Sequence, residues 1–332
     1  MGHPHAEPVR ILCNIGDFPK EWVSASGTPG TTRVLSTPGQ FLSSAPACDA
    51  ILINCDPGLT YKLAALFSLF PWRRKPIIAL DLVLRRPISQ GSRFTRPFKK
   101  FLLGSVDHFI HYFRDLDGYQ KYFGIGKSRS SYVPFKSNIQ GHHSSTTDSD
   151  GDYVLCFGRS ERDYDTFFEA MSTLPYPGAI PAPNFPLLSR HSSRFTLPLS
   201  KLPHNIRILE NDDSVPGALE IISKARVVTL PIVAGRISAS GVGTYLAAMH
   251  LGKCVIITEG PGSSDVLADE ALFVPPENAP ALATMIRKAW EDRETREKIA
   301  AAGQRYAESC GTSADLYQRV QDVVVAQVKK RY

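Results

Sequence analysis

The chain contains 332 residues, of which 43% are hydrophobic and 21% charged, and its formal net charge is +6. This composition excludes an intrinsically disordered chain, and the length suits two domains of roughly 150 residues, each with its own core. The longest apolar run, Leu63–Trp72, is too short to span a bilayer, and the first residues lack the apolar segment of a signal peptide, which predicts a cytoplasmic protein. The 6 cysteines form no C-x-x-C pair, which predicts free thiols and neither disulfides nor a zinc site.

Basic residues are concentrated in the first part of the chain. Residues 1–140 carry 18 Lys and Arg against 9 Asp and Glu, whereas the remaining residues carry 20 against 23. Between Arg73 and Lys100, nine basic residues accompany a single acid, Asp81. Such a segment attracts phosphate-bearing partners, and we predict an anionic membrane surface as its partner. A solvated basic face without a partner is the alternative, and no nucleic acid is predicted because no binding motif accompanies the charge.

In chain order, the first half alternates predicted strands with predicted helices. A strand over Arg10–Gly16 ends in a glycine turn, a second strand covers Ala50–Asn54, and a third covers Pro76–Leu84. A helix with an apolar face begins after Asp56. Strands that alternate with helices favour a parallel sheet with crossover connections.

The segment Ser92–Phe113 has the periodicity of a helix. Its apolar residues recur every three or four positions, and basic residues flank them. The apolar positions are Phe94, Phe98, Phe101, Leu102, Val106, Phe109, Ile110 and Phe113. A helix packed in the core is the favoured interpretation. The alternative is an interfacial helix on an anionic membrane, and the two combine if the basic end protrudes.

A polar segment separates the two halves. Lys136–Asp152 is rich in Ser, Thr, Gly and Asp and has no periodicity, and we predict the linker itself at residues 141–152. His142 and His143 fall in this segment without neighbours at the spacing of metal ligands, so both are predicted to be exposed.

The second half repeats the alternation of strands and helices. A strand over Tyr153–Gly158 ends in glycine, the proline-rich stretch Pro175–Pro203 is predicted to form a loop, and Val227–Val274 predicts strand, loop, helix and two further strands. The pattern predicts an α/β fold with two doubly wound, Rossmann-like domains that face each other across a cleft. The predicted domains cover residues 1–140 and 153–311, and a closing helix over 312–332 would return toward the first domain.

A loop of small residues precedes the helix of the Val227–Val274 unit. With Ser240, Gly241 and Gly243 in this loop, backbone amides can approach a ligand without obstruction by side chains. The start of a helix also presents N–H groups and the positive end of a dipole, which suits an anion such as a diphosphate. The other interpretation is an ordinary strand–helix unit whose glycines serve only turns.

Three segments of the second half occur in a characteristic order: FGRSERDYDTFFEAM, then SGVGTYLAAMHLGKCVIIT, then a long segment that begins ALFVPPENAPAL. In order and spacing they resemble the donor-binding domain of family 4-like glycosyltransferases, over roughly Tyr153–Ala307. The resemblance implies the GT-B fold, with a nucleotide-sugar donor bound by the second domain and the acceptor on the side of the first. The first domain resembles the family only loosely, through Gly16 after the first strand.

The resemblance also implies roles for two arginines. Arg159 falls where the family's arginine contacts the donor diphosphate, and Arg162 is the nearest substitute for the family's second basic residue. Both are predicted to be catalytic, because a guanidinium neutralises charge on the leaving nucleotide. Asp163 is predicted to orient either arginine. The other interpretation of both arginines is a salt-bridged surface turn.

The resemblance places the donor among glycines and small polar residues. The residues implied to contact the diphosphate are Gly16, Gly158, Ser240, Gly241, Val242, Gly243 and Thr244. The family commonly carries two glutamates around this loop, and the chain carries neither. The aligned positions are Ala239 and Ala247, or Ser240 and Ala248 with the register moved by one. Glu259 and Asp265, on the loop after the strand KCVIIT, are predicted to replace their contacts to ribose and sugar hydroxyls.

The chemistry tolerates the loss of these glutamates. In a retaining transfer with departure of the nucleotide from the front face, the leaving phosphate oxygen accepts the acceptor's proton, so positioning and electrostatic stabilisation suffice without a metal ion. An inverting transfer would need a base on the first domain. Asp81 is the best-placed candidate and Asp56 the next, although either could instead be a helix cap or a loop acceptor.

The sequence therefore predicts a glycosyltransferase that moves a sugar from a UDP- or GDP-sugar to a lipid-linked or polysaccharide acceptor, at the inner face of a membrane. The main alternative is a catalytically inactive subunit that binds nucleotide-sugars. A metal-dependent enzyme that uses Asp115 and Asp117 as a D-x-D motif is disfavoured, because we predict that this tripeptide lies in a helical stretch. A sugar-nucleotide epimerase on the same architecture is a further alternative.

Overall fold

The computed structural model describes residues 7–137, 139 and 151–330. The chain divides into two compact units. One unit runs to Pro134 and resumes at Ala314, and the other extends from Phe135 to Ser313. His142 and His143 lie outside the described residues, as do all residues of the predicted linker before Gly151.

The described residues of the first unit contain seven strands. They are β1 Val9–Cys13, β2 Glu21–Val23, β3 Pro29–Val34, β4 Ala50–Asn54, β5 Ile77–Leu80, β6 His108–His111 and β7 Ser130–Tyr132. They form one sheet in the order β2-β3-β1-β4-β5-β6-β7, and every pair is parallel except β2 with β3. The sequences AILIN of β4 and IIAL of β5 are buried almost throughout. Continuous apolar runs of this kind are typical of central parallel strands that are covered on both faces.

Four helices of the first unit connect its strands. They are α1 Pro38–Ser44, α2 Pro57–Leu69, α3 Gln90–Gly104 and α4 Asp117–Phe123. The sequence sets the start of α2, because Asp56 Oδ1 accepts a hydrogen bond of 2.8 Å from the backbone N–H of Leu59 and Pro57 occupies the first turn. The helix then buries Leu63 and Phe67.

In the second unit, the part of the chain that the structure describes forms six strands. They are β8 Tyr153–Cys156, β9 Gly178–Pro181, β10 Ile206–Leu209, β11 Ala225–Leu230, β12 Cys254–Thr258 and β13 Leu272–Val274. All pairs are parallel, in the order β10-β9-β8-β11-β12-β13. The strand order reverses between β8 and β11, so the sheet is doubly wound and its topological switch point lies between the carboxyl ends of these two strands.

Helices cover both faces of the second sheet. They are α5 Tyr164–Ser172, α6 Phe185–Arg190, α7 Val215–Ser223, α8 Val242–His250, α9 Ala279–Glu291 and α10 Arg293–Ser309. Alternating strand residues divide the core between the two faces. Val227 and Ile256 pack with Phe167 on one face, whereas neighbouring strand residues such as Val228 pack with Tyr245 on the other.

The last helix, α11 Ser313–Lys329, packs into the first unit. The rings of Tyr317 and Phe18 lie 4.9 Å apart between centroids, and Asp322 Oδ1 accepts a hydrogen bond of 2.8 Å from the backbone N–H of Ala25. Among the described helices, none combines the length and the apolar character that crossing a bilayer requires.

The predicted fold class, α/β with two parallel sheets, is confirmed. The predicted helix over Ser92–Phe113 is wrong in its second half. Helix α3 ends at Gly104, and Phe109 and Ile110 are buried on strand β6. A short turn separates the two, in which Asp107 Oδ2 accepts a hydrogen bond of 2.9 Å from the backbone N–H of Ile77.

The expected core packing of α3 is also wrong for its phenylalanines, because Phe94, Phe98 and Phe101 are 88%, 63% and 67% exposed. The proline-rich stretch Pro175–Pro203 is not one loop, since it contains strand β9 and helix α6. Pro181 closes β9 at its last residue, where a missing N–H does not interrupt the strand.

Candidate active site

The residues predicted to bind the donor gather at the switch point of the second sheet. Gly158 and Arg159 follow strand β8, and the loop after the adjacent strand β11 leads into helix α8. In open α/β sheets, ligands bind outside the carboxyl ends of strands at such a point. The fold therefore brings together two segments that lie about eighty residues apart in the sequence.

Gly241 is the residue directly before helix α8 and has the left-handed φ of +79°. Within the described structure, no side chain caps this end, and the backbone N–H groups of Thr244 and Tyr245 already donate to the carbonyl of Gly241 at 3.0 and 2.9 Å. The N–H groups of Val242 and Gly243 precede the helix's internal hydrogen bonds. This helix start can therefore hold an anion on backbone amides.

Arg162 lies behind this helix start and is 1% exposed. Its Nε donates a 2.8 Å hydrogen bond to the carbonyl of Phe157, and its Nη1 has no hydrogen-bond partner among the described residues. A Cβ placed on Gly241 would lie 2.8 Å from Nη2, and one on Gly158 would lie 2.5 Å from it. Both glycines are thus needed for the guanidinium to reach the helix start.

The charge on Arg162 is poorly compensated. Burial lowers the pKa of its guanidinium from the ordinary value, yet an arginine side chain remains protonated in proteins. A buried cation with an unused donor costs free energy unless an anion approaches it. Since the nearest open helix end is that of α8, the arrangement favours a bound anion there.

Arg159 differs from Arg162 because its side chain is about half exposed. Its Nη1 lies 3.6 Å from Asp213 Oδ1, a long ion pair at an exposed position. The carboxylate of Asp163, the residue predicted to orient either arginine, forms a hydrogen bond or ion pair with neither of them among the described residues, so that prediction is wrong. Asp163 caps α5 and forms a two-pronged ion pair with Arg194, with 2.8 Å between its Oδ1 and Nε of the arginine.

A cavity of about 200 Å³ opens beside Arg159. Its walls are mostly apolar, and its polar groups come from the loops after β8, β9 and β10 and from the starts of α5 and α8. The polar residues that line it are Arg159, Tyr164, Asn184, Asn211, Asp213, Ser214 and Thr244. Gly158, Gly243 and Ala247 line the same cavity. Among its described lining residues, Asp213 supplies the one carboxylate and Arg159 the one cationic side chain.

Sequence reasoning missed several of these lining residues. Asn184 and Asp213 follow Gly158 by about 25 and 55 residues in the sequence. Both lie on loops that show neither helical nor strand periodicity. The signal available in the sequence was the position of each loop directly after a strand of the doubly wound sheet. To use that signal, one must first recognise β9 as a strand, and the prolines around β9 favour the prediction of a loop instead.

Ser240 occupies a structural position in the site. Its hydroxyl donates a 2.8 Å hydrogen bond to the carbonyl of Ser160, and the residue is 5% exposed. Ser240 thus ties the loop after β11 to the loop after β8. It holds the helix start in place, and its proton is already donated in this structure.

Glu259 and Asp265, the predicted substitutes for the missing glutamates, lie on the loop after β12 and are absent from the described lining of the cavity. Asp265 Oδ1 accepts a 2.7 Å hydrogen bond from the backbone N–H of Gly262. The same region contains Arg236, which sequence reasoning missed. Its Nη2 donates to Ser263 Oγ at 3.1 Å, burial lowers its pKa to about 10, and its buried Nη1 has no hydrogen-bond partner in the described part of the chain.

In the first unit, Gly16 and Asp56 line a second, more polar pocket together with Asn14, Ser36 and Gln40. Asp56 is the helix cap that the alternative interpretation expected. No described atom lies within 4 Å of a Cβ placed on Gly16, so packing does not require glycine there.

Asp81, the candidate base, follows strand β5 with the left-handed φ of +47°. Its backbone N–H donates a 2.8 Å hydrogen bond to the carbonyl of Ile110, and burial raises the pKa of its carboxyl to about 6. Asp115 lies on the turn after β6, whereas Asp117 is the first residue of α4, so only the end of this tripeptide is helical. Asp115 Oδ1 accepts a 3.0 Å hydrogen bond from the backbone N–H of Asp117. No group of three metal-ligating side chains occurs in the described residues.

Comparison with known structures establishes the fold. Anabaena HepE, solved with UDP, has a TM-score of 0.67 and 12% identity, over 96% of this chain and 100% of HepE. A glycosyltransferase from Rickettsia africae has a TM-score of 0.64 and 12% identity, over 97% and 99% of the two chains. Sucrose-phosphate synthase from Thermosynechococcus elongatus has a TM-score of 0.60 and 14% identity, over 96% and 88%.

A search of curated proteins returns no significant match to the whole sequence. A family model, described as glycosyl transferases group 1, matches residues 208–306. This region includes α7, β11 and the whole of α8. The narrower assignment to family 4 stays a prediction. Over residues 208–306 the chain is thus similar to the group 1 glycosyltransferases, and it is a glycosyltransferase with the GT-B fold.

Proposed function

We propose that the protein transfers a sugar from a nucleotide-diphosphate sugar, a UDP- or GDP-sugar, to a lipid-linked or polysaccharide acceptor, with retention of configuration and without a metal ion. The observation that carries this proposal is the buried Arg162, whose Nη1 has no hydrogen-bond partner among the described residues, behind the open start of α8. A cavity of about 200 Å³, lined by Gly243 and Thr244 of the same helix start, lies next to it. HepE, which shares the fold, was solved with UDP and with UDP-glucose.

The diphosphate of the donor binds at the start of α8 in this proposal. The N–H groups of Val242 and Gly243 donate to phosphate oxygens, Arg162 contributes charge from behind, and Arg159 closes on the diphosphate from the exposed side. Hydrogen bonds between charged partners are roughly twice as strong as those between neutral ones. Arg159 must then exchange its long contact with Asp213 for the phosphate.

The nucleoside occupies the cavity next to the diphosphate. Apolar walls suit the faces of a base, and Asn184 and Asn211 offer amide groups to its edge. A carboxylate commonly accepts hydrogen bonds from ribose hydroxyls in doubly wound folds. We assign that role to Asp213, because Ala247 lines the cavity where the resemblance implies a glutamate.

Transfer follows from this arrangement without a strong base. The bond between the anomeric carbon and the diphosphate oxygen breaks, the acceptor's hydroxyl oxygen bonds to the same face of that carbon, and its proton passes to the departing phosphate oxygen. Arg159 and Arg162 stabilise the negative charge that develops on the diphosphate. The anomeric configuration of the product, read by NMR, distinguishes retention from the inverting alternative in which Asp81 is the base.

The acceptor side of the proposal rests on the charge of the first unit. The basic segment Arg73–Lys100 would draw the protein to the inner face of an anionic membrane, and this association suits an acceptor that is anchored in lipid. A polysaccharide acceptor would not require this association. Product formation with lipid-linked and free glycan acceptors, measured side by side, separates the two.

One observation favours the second candidate function, a catalytically inactive subunit that binds nucleotide-sugars. The chain has Ala239 and Ala247 where the family has glutamates, so contacts to the donor are fewer. This candidate predicts that the nucleotide-sugar binds but that its bond between sugar and diphosphate is never cleaved when acceptors are supplied. Detection of free UDP or GDP during incubation with donor and acceptor excludes it.

Arg159→Ala tests the enzyme directly. We expect a loss of turnover by about a hundredfold or more, since a charged hydrogen bond to the leaving group is removed, with the fold intact because the side chain is half exposed. Arg305→Ala, an exposed arginine on α10, is the matched control and should leave turnover unchanged. Normal turnover of Arg159→Ala would contradict the assignment of the site.

A further inference from the structure

Helix α3 presents an apolar face that the first unit does not cover. Phe94, Phe98 and Phe101 are spaced by four and three residues, which places them on one side of the helix. They are 88%, 63% and 67% exposed, whereas the buried residues of α3 are Leu102 and Leu103, near its end. Every side chain from Arg93 to Phe98 is exposed, so the first turns of α3 protrude from the unit.

Basic residues occupy another side of the same helix. Arg93, Arg96 and Lys100 are spaced by three and four residues and follow a row that is separate from the phenylalanines. All three are exposed. A helix with aromatic residues on one face and Lys or Arg on the opposite one is typical of segments that lie in the interface of a membrane.

The residues that precede α3 extend this character. Trp72 is 75% exposed, Ile88 71% and Leu69 69%. Of the nine basic residues between positions 73 and 100, Arg74 forms an ion pair within 4.0 Å, with Asp107, and the described structure shows no such pair for the other eight. Exposed aromatic rings and unneutralised charge therefore occur together in this one part of the first unit.

We propose that α3 docks the protein on an anionic lipid bilayer, with Phe94, Phe98 and Phe101 inserted among the acyl chains and the basic residues on lipid phosphates. A lipid surface fits both features, because insertion removes the rings from water and the positive charge matches anionic headgroups. An acidic protein surface would match the charge but would not account for three rings on a protruding helix end. The inference deepens the proposed function, since it names the segment that brings the enzyme to a lipid-linked acceptor.

Vesicle co-sedimentation tests the docking. We expect the chain to bind vesicles of phosphatidylcholine with phosphatidylglycerol, to bind phosphatidylcholine alone weakly, and to lose affinity as salt rises. The triple variant Phe94→Ser, Phe98→Ser, Phe101→Ser should lose affinity for the anionic vesicles by about tenfold or more. Because these rings are exposed, circular dichroism should show an unchanged fold. Absence of vesicle binding, or equal affinity for both compositions, would overturn the proposal.

A second pair of variants measures whether the ring at position 98 enters the bilayer. In Phe98→Trp, emission of the new indole should shift to shorter wavelength on anionic vesicles and be quenched by brominated lipid, relative to the parent chain. Val23→Trp is the control, because Val23 is 60% exposed in the same unit but lies outside the basic segment. Equal responses of the two indoles would overturn insertion through α3.

Nucleotide binding separates this inference from the proposed function. The triple phenylalanine variant should bind UDP or GDP as the parent chain does, since none of its substitutions touches the second unit. If the parent chain binds vesicles but no nucleotide, the proposed function fails and the docking surface stands. If it binds nucleotide but not vesicles, the docking surface fails alone.

Discussion

Arg162 combines nearly complete burial with a guanidinium nitrogen that lacks a hydrogen-bond partner among the described residues. A group of this kind is costly in the unliganded protein and useful only when an anion arrives. Its sequence context, S-E-R-D-Y, gives no hint of burial, because arginine is among the residues least often buried. The candidate role followed from resemblance, and its physical basis came from the structure.

Arg162→Met should therefore separate stability from ligand binding. We expect the free energy of unfolding without ligand to fall by no more than about 1 kcal/mol, since a poorly compensated buried cation is removed along with one hydrogen bond. Affinity for UDP or GDP should fall about tenfold to a hundredfold. Urea unfolding with and without nucleotide measures both quantities. Arg305→Met, on an exposed surface, controls for the loss of a charge, and unchanged nucleotide affinity in Arg162→Met would refute the anion site.

Asp213 was not predicted from the sequence, because it lies on an irregular loop and its relevance depends on the strand order that brings β10 beside β9. In Asp213→Asn we expect affinity for UDP to fall about tenfold, since two charged hydrogen bonds to ribose are weakened. The decisive comparison uses 2′-deoxy-UDP and 3′-deoxy-UDP. The parent chain should bind both less tightly than UDP, whereas the variant should bind all three with equal affinity.

Asp212→Asn is the control for that experiment, because Asp212 is adjacent in sequence and is absent from the described lining of the cavity. Its Oδ1 accepts a 2.9 Å hydrogen bond from the backbone N–H of Ser214, so its role is to shape the turn. If Asp213→Asn keeps the preference for ribose, another group recognises the sugar hydroxyls.

Asp81 makes the free energy of unfolding depend on pH, and its raised pKa fixes the direction of that dependence. Burial raises the pKa of its carboxyl from 3.8 to about 6, so the folded state binds the proton more tightly than the unfolded state. The stabilising effect of that proton is fully present below about pH 4 and is lost as pH rises from about 4 to about 6. Above this window, Asp81→Asn should be more stable than the parent chain by about 1 to 3 kcal/mol.

Urea unfolding of both chains at a series of pH values measures this difference, which should shrink below about pH 4. Equal pH profiles would show that Asp81 is not desolvated. Loss of turnover in the same variant, with an inverted product in the parent chain, would assign Asp81 as the base.

At the scale of elements, periodicity located the first part of the predicted helix, now α3, correctly, but it could not show which face of that helix is covered. Phe94, Phe98 and Phe101 have the spacing of a core stripe, and an exposed apolar stripe has the same spacing. The error at β6 has a related cause, because Phe109 and Ile110 continue the three-to-four spacing across the turn after Gly104. A four-residue strand that is buried on both faces shows no alternation of apolar and polar residues, so the sequence gives no strand signal there.

Strand β9 was missed for a different reason. Its sequence GAIP is four residues long, Pro177 precedes it, and Pro181 ends it, so local signals favour a loop. It forms nevertheless because β8 and β10 pair with it on both sides. The long apolar strands and α8, whose patterns agree with their tertiary environment, were predictable from the sequence alone.

At the scale of the whole molecule, α11 is part of the core of the first unit. Tyr317 is 8% exposed against Phe18, which is 3% exposed. Tyr317→Ala should lower the free energy of unfolding of this unit by about 3 kcal/mol. Hydrogen exchange should become faster in β1 and β4 and stay unchanged in β8 and β11.

Gln318→Ala on the exposed side of the same helix is the control and should leave exchange unchanged. Uniform acceleration across both sheets in Tyr317→Ala would show that the two units unfold together. No acceleration in β1 would show that α11 does not support the first unit.

The placement of α11 also fixes an order of events during synthesis. The segment Phe135–Ser313 is contiguous, so the second unit can fold as soon as it has left the ribosome. The first unit is translated earlier but waits for residues from Ala314 onward, because Tyr317 and Asp322 complete its packing. At roughly 5 to 20 residues per second, the nascent first sheet spends on the order of ten seconds or more without its last helix. A chaperone that shields this incomplete core should raise the yield of folded protein more than one that acts on the second unit.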